Sequence, residues 1–410
     1  MSHAAATGTA SPRQWDARQW SLLFVLSGNM LLDAIEVSVV LIALPTIGDQ
    51  LGRTPWAVQW LMSGFALGFA AMLLLGPRVN ARTGRRRAYL GAMLLFILAS
   101  VAGGLTDGLT LLIAIRVVKG CCAALTAPAG LAIINETFPE GSQRRRAVSV
   151  YSMFGATGFT VGLLLAGVLV EADWHWIFFF PAPVALALLL YAGYVLPSEA
   201  AESPTRPPRL RLLRDRYLLR AALCAFSLNG SYQSLLVLLT FQAQQERGWS
   251  PPQTALALLP ACVPLAVALP FTGRLIARYG SGRLITLGAL FPLLGYGLYL
   301  AEPDGSPYAL GPLPTMLLVE AGFCCAFAAL NMSATASIEP ADRGPAVSLY
   351  QMCVQLGPGV LLPLVALLLT QADDIHPALA LITLVGALGL VVSLADRASA
   401  GNSPSGGFQK

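Results

Sequence analysis

Apolar blocks of about twenty residues recur along almost the whole chain, and each is the length of a helix that crosses a hydrocarbon core roughly 30 Å thick. In lipid every backbone N–H and C=O must find a partner inside its own segment, so such blocks fold as helices. We place spans at 20–44, 57–77, 88–106, 109–135, 147–170, 175–196, 217–241, 253–273, 284–301, 313–336, 346–370 and 376–395. Only 11% of the 410 residues are charged, less than half of the roughly 25% usual in soluble domains. A soluble enzyme or nucleic-acid-binding domain is excluded on that ground. The fold class is all-α, a polytopic membrane protein of twelve helices.

The polar stretch from Pro197 to Arg216 divides the spans into six and six. The expected organisation is an N-terminal six-helix half (1–196, with a tail at 1–19), a linker (197–216), a C-terminal half (217–397) and a disordered tail (398–410). The first nineteen residues lack the apolar core of a signal peptide. With both termini on one side, 22 of the 26 Lys and Arg side chains collect there, while Arg53 and Arg247 fall on the other side. The positive-inside rule then makes both termini cytoplasmic. The membrane is the cytoplasmic membrane, and the arginine, alanine and glycine bias points to a bacterial source. The net charge of +5 is a topology signal and implies no nucleic-acid partner.

An internal repeat supports two related halves. Ala81-Arg82-Thr83-Gly84-Arg85-Arg86-Arg87 follows the second span, and Ala277-Arg278-Tyr279-Gly280-Ser281-Gly282-Arg283 follows the eighth. Both read A-R-x-G-x-x-R at equivalent positions of a six-span unit, as in transporters built from parallel repeats.

The chain resembles the major facilitator superfamily over nearly its whole length, above all the drug:proton antiporter branch that usually has fourteen spans. Glu36-Val37-Ser38-Val39-Val40-Leu41-Ile42-Ala43-Leu44-Pro45 is similar to that branch's D-x-T-[IV]-V-N-V-A-L-P. Arg82-Thr83-Gly84-Arg85-Arg86-Arg87 resembles the end of its loop 2–3 signature, Arg116-x-x-Lys119-Gly120 its R-x-x-Q-G, and Gly158-x3-Gly162-Leu163-x2-Ala166-Gly167 its antiporter pattern. Trp174-His175-Trp176-Ile177-Phe178 is similar to its W-R-W-I-F, and the stretch from Phe241 to Arg283 is also similar to it. Two departures stand out. The loop 2–3 aspartate is replaced by Ala81, so the conformational lock it provides is weaker or built otherwise. The antiporter proline is Leu163. The short linker leaves no room for two further spans, so the likeness is to a twelve-span relative.

Five ionisable residues lie within spans: Asp33, Glu36, Arg116, Lys119 and Glu320. Each costs about 2.5–3.5 kcal/mol at a helix centre, so unpaired they would total roughly 12–17 kcal/mol. Asp33 and Glu36 are three residues apart, as are Arg116 and Lys119, which puts each pair on one helix face. The resemblance brings spans 1 and 4 to a common cavity, where two carboxylates facing two cations compensate one another. Such a cluster can be a static ladder that specifies packing. It can also couple protons, with a carboxylate poised between desolvation and a nearby cation. On the coupling reading Glu36 is favoured as carrier, tuned by Arg116, although two adjacent carboxyls titrate as a pair.

Glu320, Tyr232, Asn229, Gln242, Gln351 and Gln355 are candidates for the substrate cavity; polar groups at these depths also glue helices together. Arg82, Gly84, Arg85, Arg86, Gly158, Gly162 and Gly167 are candidates for conformational change, the glycines because small residues let helices approach closely and slide. Gly357-Pro358-Gly359 predicts a kink or break in span 11. His3, His175 and His376 form no metal-ligand pattern, the seven cysteines lie in apolar blocks, and there is no phosphate-cradling loop. No cofactor or metal and no enzyme chemistry are expected, and ATP does not drive the protein directly.

The expected function is secondary active transport by a monomer. Its partners are a small molecule, protons and the bilayer. Efflux of an amphipathic drug-like or secondary-metabolite compound in exchange for protons is favoured. Proton-coupled movement of a small metabolite, in either direction, and a non-transporting sensor or scaffold are the alternatives.

Overall fold

The computed structural model describes residues 15–196, 208–262, 264, 268, 271–303, 305–372 and 374–401. Eleven helices among them are long and apolar enough to cross a membrane. In the N-terminal half they are α1 (Ala17–Leu51), α2 (Pro55–Thr83), α3 (Arg85–Gly104), α4 (Leu109–Thr137), α5 (Ser142–Ala172) and α6 (Trp176–Val195). In the C-terminal half α7 (Arg216–Glu246) precedes the short α8 (Pro251–Leu258). Then come α9 (Ser281–Leu300), α10 (Pro312–Ser333), α11 (Pro340–Gln371) and α12 (His376–Ala395). The expected eighth span, 253–273, falls partly outside the described residues, and so does the C-terminal tail from 402. The helix Thr272–Tyr279 closes that stretch.

Helix starts follow local chemistry. Asp16 caps α1 by accepting from the Gln19 N–H at 2.7 Å, and the Gln19 side chain returns a bond to the Asp16 N–H. This reciprocal pair satisfies two of the N–H groups that a helix start leaves without partners. Asp215 does the same for Tyr217 and Leu218 at the start of α7, and Ser250 with Gln253 for α8. The repeated loops take one backbone form: Gly84 has φ 79° and ψ 145°, Gly280 φ 78° and ψ 149°. That region is open essentially to glycine alone, which explains why both copies of the motif keep it.

Close helix crossings tie the halves together internally. A methyl added to Gly158 would lie 2.5 Å from the Leu31 carbonyl oxygen of α1, and one on Gly162 would strike the Ser38 hydroxyl. The corresponding crossing in the second half joins α7 to α11 at Gly230 and Gly357. Expected as sliding contacts between halves, Gly158 and Gly162 instead pack within the first half. Gly167 does lie between halves, against Pro252 and Ala255 of α8. The break expected at Pro358 is absent: α11 runs as continuous helix through both Pro358 and Pro363. Gly357 lets α7 pack tightly at that level, and this support holds the helix through the missing hydrogen bond.

At the end away from the arginine loops, one apolar core joins both halves. It includes Ile42 and Leu163 from the first half, and Leu238, Leu258, Val319 and Leu362 from the second. At the arginine-rich end the cores are separate. Leu23, Tyr89, Ile134 and Tyr151 build one from the first half, while Leu218, Ile285, Leu330 and Tyr350 build the other from the second. There α2 still meets α11 through Ala70, Leu73, Leu349 and Met352, with Leu212 and Leu213 of the linker turn packed beside them. The halves thus share one core at the first end, whereas at the arginine-rich end each has its own and the two meet along α2 and α11.

Candidate functional site

The membrane charges of the first half converge on Glu36. Arg116 donates to its Oε2 at 2.8 Å and Lys119 to its Oε1 at 2.7 Å. All three side chains are at most 1% exposed. The i,i+3 spacing on α4 lets its two cations clasp one carboxylate from α1. The remaining donor and ring contacts complete the node: Arg116 Nε gives a bond to the Leu61 carbonyl at 2.9 Å and its guanidinium lies over Phe65. The Lys119 ammonium lies over Phe96 and Phe178. Five helices therefore meet at one desolvated ion cluster, with each charge paired and the cations faced by aromatic rings.

Asp33 does not join that cluster. The expectation that two carboxylates face two cations is corrected here: Glu36 takes both. One turn before Glu36, Asp33 accepts from the Asn29 amide at 3.2 Å and from the Thr126 hydroxyl at 3.4 Å. It lines a small cavity between α1, α3 and α4 with Leu32, Met93, Phe96 and Cys122. Among the described residues its hydrogen-bond donors are thus neutral. Neither Asn29 nor Thr126 stood out in the sequence. Asn29 could have been found, since it lies one turn before Asp33 on the same face; Thr126 on another helix could not.

In the second half Glu320 is buried, 1% exposed. Its Oε1 faces the Cys324 thiol at 3.9 Å, while Oε2 has no hydrogen-bond partner. Tyr232 of α7 sets its hydroxyl beside this carboxyl and its ring 5.1 Å from that of Phe323. The other cavity candidates divide differently. Asn229 donates to the Val354 carbonyl at 2.9 Å, Gln351 to the Asn331 side chain at 3.2 Å, and Gln242 accepts from Tyr299. These three fasten helices within the second half, and Gln355 is half-buried.

The loop 2–3 arginines find partners the motif does not contain. Arg85 Nη1 donates to both carboxylate oxygens of Glu136 at the end of α4, each at 2.7 Å, and Arg86 donates to the Gly193 carbonyl of α6 at 2.6 Å. Ala81 and Arg82 are exposed. Glu136 thus supplies the carboxylate that the loop itself lacks. At the joined end the halves are stitched by polar contacts. Gln244 of α7 donates to the Ile42 carbonyl of α1 at 2.9 Å and accepts from Thr46, Gln245 donates to Asp49, and the Trp56 N–H donates to Thr370. Gln244 sits in a π-helical turn, Gln242–Glu246, a distortion that often accompanies function. Among the described residues no cluster of His, Cys, Asp or Glu could hold a metal ion.

Two helical halves that share an apolar core at one end, with a buried ion cluster inside the first, define a membrane transporter of the two-half kind. Residues 26–339 match the Major Facilitator Superfamily, and the chain belongs to that family. The puromycin resistance protein pur8 of Streptomyces alboniger is 29% identical, the match covering 86% of this chain and 81% of that one. The lincomycin resistance protein of Streptomyces lincolnensis is 27% identical over 87% and 86%. The cephamycin export protein CmcT of Amycolatopsis lactamdurans is 28% identical over 80% of each. Among solved structures, a D-xylose–proton symporter superposes with a TM-score of 0.77 at 16% identity, covering 92% of this chain and 97% of that one. The fold is therefore shared with proteins of distant sequence.

Proposed function

We propose that this chain exports amphipathic, drug-like or secondary-metabolite molecules from a bacterial cytoplasm in exchange for protons, by alternating access as a monomer. Both termini are read as cytoplasmic from the arginine distribution, so the end with separate cores faces the cell interior and the shared core closes the outer end. Relatives named for resistance to or export of puromycin, lincomycin and cephamycin support the substrate class and direction.

The observation that carries the coupling mechanism is the unequal treatment of Asp33 and Glu36. Protonating Glu36 would leave two buried cations without a counter-charge, at a cost of several kcal/mol. Glu36 is therefore the standing counter-ion of Arg116 and Lys119 in this state. Protonating Asp33 removes its repulsion with Glu36 one turn away and costs only two bonds from neutral donors. The proton role moves from Glu36, favoured by sequence, to Asp33. Outward, Asp33 takes a proton from the external side; inward, it releases the proton as cargo enters.

Inverted membrane vesicles under an imposed pH gradient test this. Asp33→Asn abolishes gradient-driven uptake of ethidium while retaining exchange of internal for external ethidium. Gradient-driven accumulation at the wild-type level in that variant rejects the role.

A further inference from the structure

The charge balance of the two halves differs in kind. In the first half the buried charges, Glu36, Arg116 and Lys119, pair with one another. In the second, every Lys and Arg from position 217 to 395 lies at or near the end of a span: Arg220, Arg247, Arg274, Arg278, Arg283 and Arg343. Glu320, in the middle of α10, has no basic side chain at its depth from any helix of that half. The groups that do face it are Tyr232 from α7, Cys262 beyond α8, and Cys324 one turn along α10. From α9, packed against the other side of α10, Tyr296 bonds to Ser231 and Tyr299 to Gln242. A carboxylate ion at that depth without a cation is costly, so its charge must be cancelled by something that is not part of the chain.

The surroundings say what kind of cation fits. Phe323 and Phe327 stack 4.9 Å apart with planes 14° from parallel, and Tyr232 extends the series. Phe323 packs both on the core shared by the halves and on the separate core of the second half. It therefore stands where the shared core gives way to the separate one, and it is half-buried. Aromatic faces beside a carboxylate form a receptor for a cation that carries its own rings, through stacking and cation–π attraction.

We infer that Glu320 is the recognition carboxylate for a cationic aromatic substrate, seated against Phe323, Phe327 and Tyr232, and that substrate and proton compete for it. This rests on the export reading above and names the substrate class. The exchange balances: an empty site holds a neutral carboxylic acid, the arriving cation pairs with the carboxylate, and one proton leaves to the aqueous side from which the cation came. No bond other than O–H breaks.

The test uses purified full-length protein in detergent with two ions of one shape and opposite charge, tetraphenylphosphonium and tetraphenylborate. Equilibrium dialysis gives affinity, and a pH dye in weak buffer gives proton release. The wild-type protein binds the phosphonium in preference to the borate and releases a proton on binding it. Glu320→Gln lowers phosphonium affinity by about tenfold or more, the loss of one desolvated charge pair, and lowers the number of protons released per phosphonium bound; Glu320→Asp restores part of both. Equal affinity of the wild type for both ions overturns the proposal, and needs no variant to fold. So does an unchanged phosphonium affinity in a folded Glu320→Gln protein. Absence of gradient-driven flux in vesicles with charge-selective binding intact would instead strike the export reading.

Discussion

At the residue scale, one carboxylate and two cations show how a membrane protein keeps charge where it is expensive. The Glu36 cluster is at most 1% exposed, so its ions interact without screening by salt. Removing one partner of such a cluster typically costs about 3–5 kcal/mol, because the charge left behind has nowhere to go. Glu36→Gln, which leaves two cations facing no carboxylate, is therefore expected to lower thermal stability by that order, whereas Asp33→Asn, which keeps hydrogen-bonding capacity, changes it by about 1 kcal/mol or less. Melting of detergent-solubilised variants followed by tryptophan fluorescence checks the contrast; equal losses for Asp33 and Glu36 would remove the distinction between them.

A second residue-scale prediction concerns pH at the joined end. His175 stacks on Trp174 and offers Asp173 both its backbone N–H, at 2.9 Å, and its ring, at 2.6 Å. The backbone bond first, and then the ring bond, hold the Asp173 carboxyl below its ordinary 3.8. A depressed folded value means stabilisation is present above the unfolded value and is lost as pH falls through the folded one. Acidification from about pH 4 downward should loosen this turn in the wild type. Asp173→Asn should flatten that part of the stability profile; an unchanged acid limb would dismiss the contact as a pH-sensitive one. The effect is small, since Asp173 is half exposed.

At the element scale, glycines decide how near helices come. Gly162 has its α-carbon face against Ile35 and Ser38 of α1, and Gly357 against Phe226 and Gly230 of α7. In both places a methyl group meets backbone or a short side chain, neither of which can swing away. Gly162→Ala and Gly357→Ala should each cost about 1–3 kcal/mol, the range for overpacked cores. Gly193→Ala and Gly297→Ala, at positions with open space, should be neutral or slightly stabilising through better helix propensity. A melting series over the four separates a packing role from a flexibility role. If Gly193→Ala proved as harmful as Gly162→Ala, tight crossing would not be the reason.

At the scale of the whole molecule, the joined end is a seal made of a shared apolar core plus the two hydrogen bonds of Gln244, one to the Ile42 carbonyl and one from Thr46. Such bonds are individually modest, which suits a seal that must open in each transport cycle. A short bifunctional cross-linker between cysteines at Thr46 and Gln244 should arrest transport, and reductive cleavage of the linker should restore it. Undiminished flux in the cross-linked protein would mean the seal does not open at α1 and α7. Gln244→Ala should favour the outward-open state, read as greater labelling of the joined end by membrane-impermeant reagents.

Much of this was legible from residues alone, because the bilayer demands it. Lipid cannot satisfy backbone groups, so length and hydropathy determine helices. The A-R-x-G-x-x-R repeat announced two related halves, and Gly84 and Gly280 share one backbone form because only glycine enters it freely. The spacing of Arg116 and Lys119 likewise put both cations on one face. Tertiary structure alone decided which carboxylate they hold, since Asp33 and Glu36 differ by less than a turn and a sequence carries no rotation of α1 against α4. It decided that Glu136, 51 residues away, answers Arg85, and that Glu320 has aromatic neighbours and no cation. Partners of that kind are set by where separate helices cross, and a crossing is a property of packing between helices, which periodicity within one helix does not record.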